Sequence, residues 1–174
     1  MRIGVMIAAG TLMCAGLMAS AAGPKAAHAD LVNAQGTKVG TAKISSTANG
    51  VKVSVRVSQL TPGEHGIHIH NVGKCEAPAF TTAGGHFNPT SAHHGVKNAQ
   101  EPHPHLGDLE NLKVGQNGKA NATFTVSGAT LGDGQNSLFH EGGTALVIHA
   151  KADDLMSDPS GNSGERIACG VIEK

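Results

Sequence analysis

Tryptophan and tyrosine are missing from this sequence, and phenylalanine occurs only four times in 174 residues. A core of stacked aromatic rings is therefore excluded, and valine, isoleucine, leucine and alanine have to fill the interior. A chain of this length suggests one domain that is large enough to bury a real core.

An excess of charge of one sign is also missing, because 13 basic and 13 acidic residues leave a formal net charge of zero. Without a basic stripe, nucleic acid is excluded as a partner. Two residue types are instead abundant, with 24 glycines and 11 histidines. The glycines, which follow no strict repeat, predict turns and long loops, and the histidines raise a metal site as a hypothesis. A solvated, histidine-rich surface is the alternative that composition leaves open.

Long apolar runs are confined to the N-terminus, where a short basic start precedes an uncharged stretch over residues 3–19. Two small-x-small cleavage patterns follow, Ala19-Ser20-Ala21 and Ala27-His28-Ala29. We therefore expect a signal peptide within residues 1–29, cleaved after Ala21 or Ala29, with residues 30–174 as the exported domain. An uncleaved anchor is the alternative, although the run is short for a membrane span.

Cysteine is scarce, with three residues in the chain. Signal cleavage would remove Cys14 and leave Cys75 and Cys169, an even pair in an oxidising compartment. This favours a disulfide, with two unrelated buried thiols as the alternative. Lipid attachment at Cys14 is a further alternative, but Thr11-Leu12-Met13 matches a lipid-attachment signal poorly.

Helical periodicity is absent over any three turns, whereas residues 51–58 alternate between valine and polar side chains, as in a strand with one buried face. Further strands are predicted at Lys38–Ile44, Ala120–Val126, Gly143–Ala150 and Ile167–Ile172. Short strands between glycine-rich turns predict an antiparallel β-sandwich or barrel. Two long stretches, 71–107 and 153–165, have little strand character. The first holds five of the histidines, so we expect it to be functional.

The first histidines in the series fit one metal ion. His68 and His70 end a strand-like run, so both side chains point to one face of the strand and can converge on one metal. His86 follows two glycines, which let the backbone turn tightly beside a site. His149 ends an apolar strand, and a nitrogen-rich set of imidazoles suits copper.

A second group of candidates lies between them in sequence. His94 is followed by His105 and Asp108, and the last two are three residues apart, so one turn can present both to one ion. Histidine nitrogen with a carboxylate oxygen suits zinc, which favours four tetrahedral ligands.

The remaining histidines have plainer interpretations. His28 lies in the signal segment, and we expect His65 and His140 on the surface. His93 and His103 stand beside stronger candidates and are expected to be exposed.

In this order the motifs resemble those of the copper/zinc superoxide dismutase family, in its bacterial exported form. They cover essentially the whole mature chain. The matching segments are Gly66-Ile67-His68-Ile69-His70, Ala83-Gly84-Gly85-His86-Phe87-Asn88-Pro89, His94-Gly95, His105-Leu106-Gly107-Asp108, Ala145-Leu146-Val147-Ile148-His149 and Gly164-Glu165-Arg166-Ile167-Ala168-Cys169-Gly170-Val171-Ile172.

The resemblance implies a Greek-key antiparallel β-sandwich or flattened barrel, immunoglobulin-like, with two long functional loops, and one copper and one zinc per chain. The implied copper ligands are His68, His70, His86 and His149. The implied zinc ligands are His86, His94, His105 and Asp108, with His86 bridging both metals.

Further roles are carried by the same resemblance. Cys75 would pair with Cys169, and Arg166 would guide superoxide and hold it beside copper. Asp153 would accept protons from one copper histidine and one zinc histidine, which fixes their rings.

The implied activity is that of a periplasmic or secreted superoxide dismutase, which converts superoxide to dioxygen and hydrogen peroxide by redox cycling of the copper, with His86 and Arg166 as catalytic residues. A non-catalytic periplasmic copper/zinc-binding protein on the same fold is the alternative. Superoxide is the expected partner, without nucleic acid and without stable membrane insertion after signal cleavage. A homodimer stays open, because no dimer face is readable from the sequence.

Two segments depart from the eukaryotic cytosolic pattern. The stretch between Asp153 and Arg166 is shorter here, so the steering charges of that form cannot be transferred. The stretch between His94 and His105 also differs in length, which leaves His93 and His103 as competing ligands.

Overall fold

The computed structural model describes residues 26–102 and 104–174, so Cys14, His103 and most of the expected signal peptide lie outside it. No helix in this part of the chain is long and apolar enough to cross a membrane. The described residues form nine strands and a short 3-10 helix at Thr81–Ala83. The strands are β1 (Ala26–Asn33), β2 (Lys38–Thr47), β3 (Gly50–Val57), β4 (Gly63–His65), β5 (Ile67–His70), β6 (Leu112–Val114), β7 (Ala120–Ser127), β8 (Ala145–His149) and β9 (Arg166–Val171).

Seven strands form one antiparallel sheet in the order β5-β8-β9-β1-β2-β3-β7, and β4 pairs with β6. β5 pairs with β8, which is distant in sequence, and β9 returns to pair with β1. Side chains from both ends of the sheet pack into one core, so the sheet is curled into a half-barrel. The predicted all-β antiparallel fold is confirmed.

The strands that alternation predicts are the ones whose inner face is aliphatic. Val51, Val53 and Val55 on β3 are fully buried, and the intervening side chains face outward. The turn from β2 to β3 ends at Gly50, where a Cβ would collide with the backbone of Val126. All five predicted strands are confirmed, with ends shifted by up to three residues.

Three strands, β1, β4 and β6, have no clear signal in the sequence. The inward residues of β1 include Ala27 and Ala29, which are buried but have little strand propensity. β4 and β6 have only three residues each, so a period of two cannot be recognised in them.

The main core is aliphatic, as the absence of tryptophan and tyrosine requires, with Phe87 and Phe124 as its aromatic members. A second, smaller core cluster lies beside the disulfide between Cys75 and Cys169, whose Cα atoms are 5.6 Å apart. The predicted disulfide thus fastens the first long loop to β9. Its 94-residue separation implies a stabilisation on the order of 4 to 5 kcal/mol in the chain-entropy model.

The two long loops, 71–107 and 153–165, contain no strand among their described residues. The first begins at the end of β5, and the second connects β8 to β9. Because β5, β8 and β9 are neighbours in the sheet, the two loops meet over the same strands. The candidate site lies where they meet.

Candidate metal centre

β5 is the strand on which the site is built. Ile67 and Ile69 are buried in the main core, and His68 and His70 alternate with them and point to the opposite face. Both imidazoles are nonetheless buried, because the long loops cover that face. The predicted shared face of the His-x-His pair is confirmed.

Segments of the first long loop pair with β5 almost as extra strands. Ile69 accepts a hydrogen bond from the backbone N–H of Phe87 at 2.8 Å and donates one to Gly107 at 2.9 Å. Isolated bridges place His86 opposite His70 and Asp108 opposite His68. These backbone contacts hold two distant parts of the loop beside the His-x-His pair.

Four imidazoles form the first donor set: His68, His70, His86 and His149 each offer one nitrogen, and these nitrogens lie within 4.8 Å of one another. His70 donates from Nδ1 to the Gly84 carbonyl at 2.9 Å, and His149 donates from Nδ1 to the Gly164 carbonyl at 3.1 Å. A carbonyl only accepts, so both Nδ1 atoms carry the proton and both Nε2 atoms carry a lone pair. These two Nε2 atoms are 3.4 Å apart.

The protonation states of these imidazoles follow from their burial. Burial lowers the pKa of His70 to about 2 and that of His149 to about 4, so both rings are neutral near pH 7. Two facing lone pairs cannot hydrogen-bond to each other. The arrangement therefore fits a cation placed between them.

His68 supplies a third lone pair to the first donor set. Its Nε2 donates to Asp153 Oδ2 at 2.6 Å, and burial lowers the pKa of His68 to about 3. The ring is therefore neutral with a lone pair on Nδ1, and that buried atom has no hydrogen-bond partner among the described residues.

The second donor set consists of His86, His94, His105 and Asp108. Asp108 Oδ1 lies 2.8 Å, 3.1 Å and 3.3 Å from the Nδ1 atoms of the three histidines, in that order. A tetrahedral zinc with ligands at about 2.1 Å places its ligand atoms about 3.4 Å apart. Three nitrogens and one oxygen at this spacing fit zinc, and the other carboxylate oxygen of Asp108 accepts the backbone N–H groups of Gly95 and His105.

His86 belongs to both donor sets. Its Nδ1 is in the second set, 3.4 Å from His105 Nδ1. Its Nε2 is buried and has no partner in the described part of the chain, and its ring stacks on His68 with centroids 3.9 Å apart. A ring with one nitrogen in each set can serve two ions at once.

Asp153 contacts one histidine of each donor set. Its carboxylate accepts from His68 Nε2 at 2.6 Å and from His94 Nε2 at 3.0 Å. Burial disfavours a charge on His94, but the carboxylates of Asp108 and Asp153 outweigh it and raise the pKa of His94 to about 9. Burial also opposes the charge on Asp153, but the hydrogen bonds from His68 and His94 hold its pKa well below the usual range.

Arg166 lies at the edge of the first donor set. Its Nη1 donates to the Phe80 carbonyl and its Nη2 to the Gly84 carbonyl, both at 2.6 Å. The Gly84 carbonyl also accepts the proton of His70, so one oxygen fixes both the guanidinium and a ring of the first donor set. Burial lowers the pKa of Arg166, but a guanidinium stays charged at any working pH.

No motif of the sequence identifies two residues that position Asp153. Asn111 pairs with the Asp153 backbone, accepting its N–H and donating to its carbonyl, each at 2.8 Å. Gly161 has a φ of +63°, and a Cβ there would collide with Asp153 Oδ1 and lie 2.7 Å from His94 Nε2. The glycine-rich stretch around residue 161 is the signal that could have suggested a tightly packed turn.

The remaining histidines differ in part from expectation. The prediction that His65 lies on the surface is wrong: it is 2% exposed, with ring nitrogens 2.8 Å from the His149 carbonyl and 2.9 Å from that of Thr61. His140, expected on the surface, is half-buried and stacks on Phe87 at 5.3 Å between centroids. Hydrogen bonding and stacking allow both rings to leave water.

His93 was expected to be exposed, with a role as a competing ligand left open, and His28 was placed in the signal segment. His93 is partly exposed and bonds to Asp158 at 2.8 Å, outside both donor sets. His28 lies exposed on β1.

We expect Gly161→Ala to displace Asp153 from His94 and to weaken zinc binding to the second donor set about tenfold or more, the usual effect of losing a group that orients a ligand. Chelator competition on the purified variant measures this affinity. Gly36→Ala is the control, because Gly36 has a similar φ of +75° but no atom within 4 Å of the added Cβ. Equal losses in both variants would attribute the effect to backbone strain and contradict the prediction.

Comparison with known proteins agrees with this geometry. A family model described as copper/zinc superoxide dismutase (SODC) matches residues 38–172. Superoxide dismutase (Cu-Zn) 1 of Aquifex aeolicus is 47% identical over 148 residues, which cover 84% of this chain and 86% of that protein. The superoxide dismutase-like protein YojM of Bacillus subtilis is 40% identical over 148 residues, covering 83% of this chain and 74% of that protein.

Solved structures give the same result. The Cu/Zn superoxide dismutase from Brucella abortus superimposes with a TM-score of 0.67 at 30% identity, over 85% of this chain and 99% of that one. With a family model that matches residues 38–172 and a relative that is 47% identical over most of both chains, the chain belongs to the copper/zinc superoxide dismutase family.

Proposed function

We propose that this protein is an exported superoxide dismutase that binds one copper and one zinc per chain. Two superoxide anions and two protons give one dioxygen and one hydrogen peroxide. The observation that carries the proposal is the complete pair of donor sets that share His86, with the cation of Arg166 beside the first.

The chemistry of the donors assigns the metals. The first donor set is all imidazole, which suits copper, and the second includes the carboxylate of Asp108, which suits zinc. When bound there, copper supplies the one-electron chemistry, because it cycles between two oxidation states whereas zinc does not.

His86 and Arg166 have separate tasks in this proposal. His86 Nε2 has no partner in the described part of the chain, so whenever it is not a metal ligand it can hold a proton and deliver it to the forming peroxide, while Nδ1 stays in the second donor set. Arg166 uses two of its five N–H donors for the Phe80 and Gly84 carbonyls, which leaves donors for a small anion.

We expect Arg166→Ala to lower the rate constant for superoxide about tenfold or more at low ionic strength, because a fixed cation raises the on-rate of an anion. Decay of superoxide absorbance in stopped flow measures this, on protein with its metal content determined. Arg56→Ala removes an exposed arginine on the outer face of β3 and is expected to leave the rate unchanged.

The outcomes separate two proposals. An unchanged rate in the Arg166 variant would remove its guiding role and leave the enzyme intact. Metal-loaded wild-type protein without turnover would instead support a non-catalytic copper/zinc-binding protein.

We expect His86→Ala to lose both metals in part, because both donor sets lose a nitrogen, whereas His94→Ala chiefly loses zinc. Metal analysis of protein purified from the exported fraction gives the two stoichiometries, with His28→Ala, an exposed residue on β1, as control. Selective loss of copper from the His94 variant would contradict the assignment.

Export is the last part of the proposal, with a signal peptide that ends before β1. Cleavage after Ala29 would remove Ala27 and Ala29, which are 6% and 1% exposed and pair with Ile44 and Ala42 on β2. Cleavage after Ala21 leaves β1 whole. We therefore expect the intact mass of the exported protein to correspond to a chain that begins at Ala22, and a mass that begins at Asp30 would contradict this.

A further inference from the structure

A row of contacts joins the two long loops away from the metal-facing atoms. Lys97 donates its backbone N–H to the Leu155 carbonyl at 2.8 Å, and the Asn98 side chain donates to the Met156 carbonyl at 3.0 Å. Gly95 packs so tightly on Leu155 that a Cβ would collide with the Leu155 carbonyl. The loop that carries His94 is therefore fastened to the loop that carries Asp153 by more than the donor sets.

Asp158 is the charged member of this row. One carboxylate oxygen accepts the backbone N–H of His94 at 2.7 Å. The other accepts from His93 Nδ1 at 2.8 Å and from the Asn98 side chain at 3.3 Å. One side chain of the second loop thus contacts three residues of the first loop, His93, His94 and Asn98.

His94 is consequently fixed at every polar atom. Asp108 and Asp153 contact its two ring nitrogens at 3.1 Å and 3.0 Å. Asp158 holds its backbone N–H, and Asn98 donates to its carbonyl at 3.1 Å. The first two contacts belong to the donor sets and their support, whereas Asp158 and Asn98 hold only the main chain.

The exposure of the Asp158 side chain argues against a role in folding stability alone. Its side chain is 40% exposed, and that of its partner His93 is 38% exposed. Ion pairs this exposed contribute little to folding, because water and salt screen them. What this carboxylate does determine is the position of the His94 backbone, and hence where the His94 ring can point.

We propose that Asp158 is a positioning residue for the zinc ligand His94, so that the second donor set is already assembled before zinc binds. The inference rests on the proposed function, because it takes zinc as the ion of that set. It adds a specific residue of the short second loop to the parts that build the metal centre.

The experiment compares the metal-free wild-type protein with three variants, Asp158→Ala, Asp158→Asn and Asp154→Ala. Asp154 is the matched control: it is an acidic residue in the same loop, and its carboxylate accepts from Met156, Ser157 and Asn162 of its own loop. Zinc affinity is measured by chelator competition, copper affinity separately, and hydrogen exchange at residues 93–98 reports whether the loop is held. Circular dichroism confirms the fold of each variant.

We expect Asp158→Ala to bind zinc about tenfold or more weakly, with faster exchange at residues 93–98 and unchanged copper affinity. Asp158→Asn should recover most of the affinity, because its amide oxygen still accepts the His94 N–H. Asp154→Ala should change zinc affinity less than about threefold.

Two results would overturn the inference. One is zinc affinity and exchange unchanged in Asp158→Ala, and the other is an equal loss in Asp154→Ala. Wild-type protein that binds no zinc would instead overturn the proposed function, so the two failures are distinguishable.

Discussion

Buried imidazole lone pairs that face one another are the constraint on which the rest of this structure depends. In the first donor set, His68 Nδ1 is a buried acceptor without a donor among the described residues. The Nε2 atoms of His70 and His149 are acceptors that face each other. Each buried acceptor left without a donor costs about 1 to 3 kcal/mol. The polypeptide alone gains nothing from such a cluster, whereas a cation at its centre gives each lone pair a partner. Metal binding and the folding of the two loops are therefore linked.

The fold meets this constraint by fixing three rings of the first donor set through their second nitrogen. His68 donates to Asp153, and His70 and His149 donate to backbone carbonyls. Each of these contacts selects one tautomer, and the selected tautomer turns a lone pair toward the centre. His86 is different, because neither of its nitrogens is used for support: one faces the second donor set, and the other is unpartnered among the described residues. Among the described residues, His86 is thus the ring of the first donor set without support from outside the two donor sets.

The sequence could predict the parts of the site that are local. The His-x-His pair on β5 and the pair three residues apart at His105 and Asp108 depend only on the spacing along a strand or a turn. Asn111 and Asp153 are 42 residues apart, and their contact depends on the path of both loops, which no periodicity encodes. The sequence does not predict the burial of His65 for a similar reason. Its ring can be buried because it lies within hydrogen-bond distance of the carbonyls of Thr61 and His149, and the spacing along the chain does not show that contact.

The Gly84 carbonyl links Arg166 to the first donor set. A carbonyl oxygen has two lone pairs, and here one accepts the proton of His70 and the other a proton of Arg166. The guanidinium and the His70 ring therefore share one acceptor, and that acceptor sets the tautomer of His70. Gly84 and Phe80, the two acceptors of Arg166, follow Cys75 in the loop that the disulfide fastens to β9, and Arg166 begins that same strand. The covalent link thus holds the segment that carries both acceptors against the strand that carries Arg166, so the disulfide supports the surroundings of the first donor set as well as the stability of the fold.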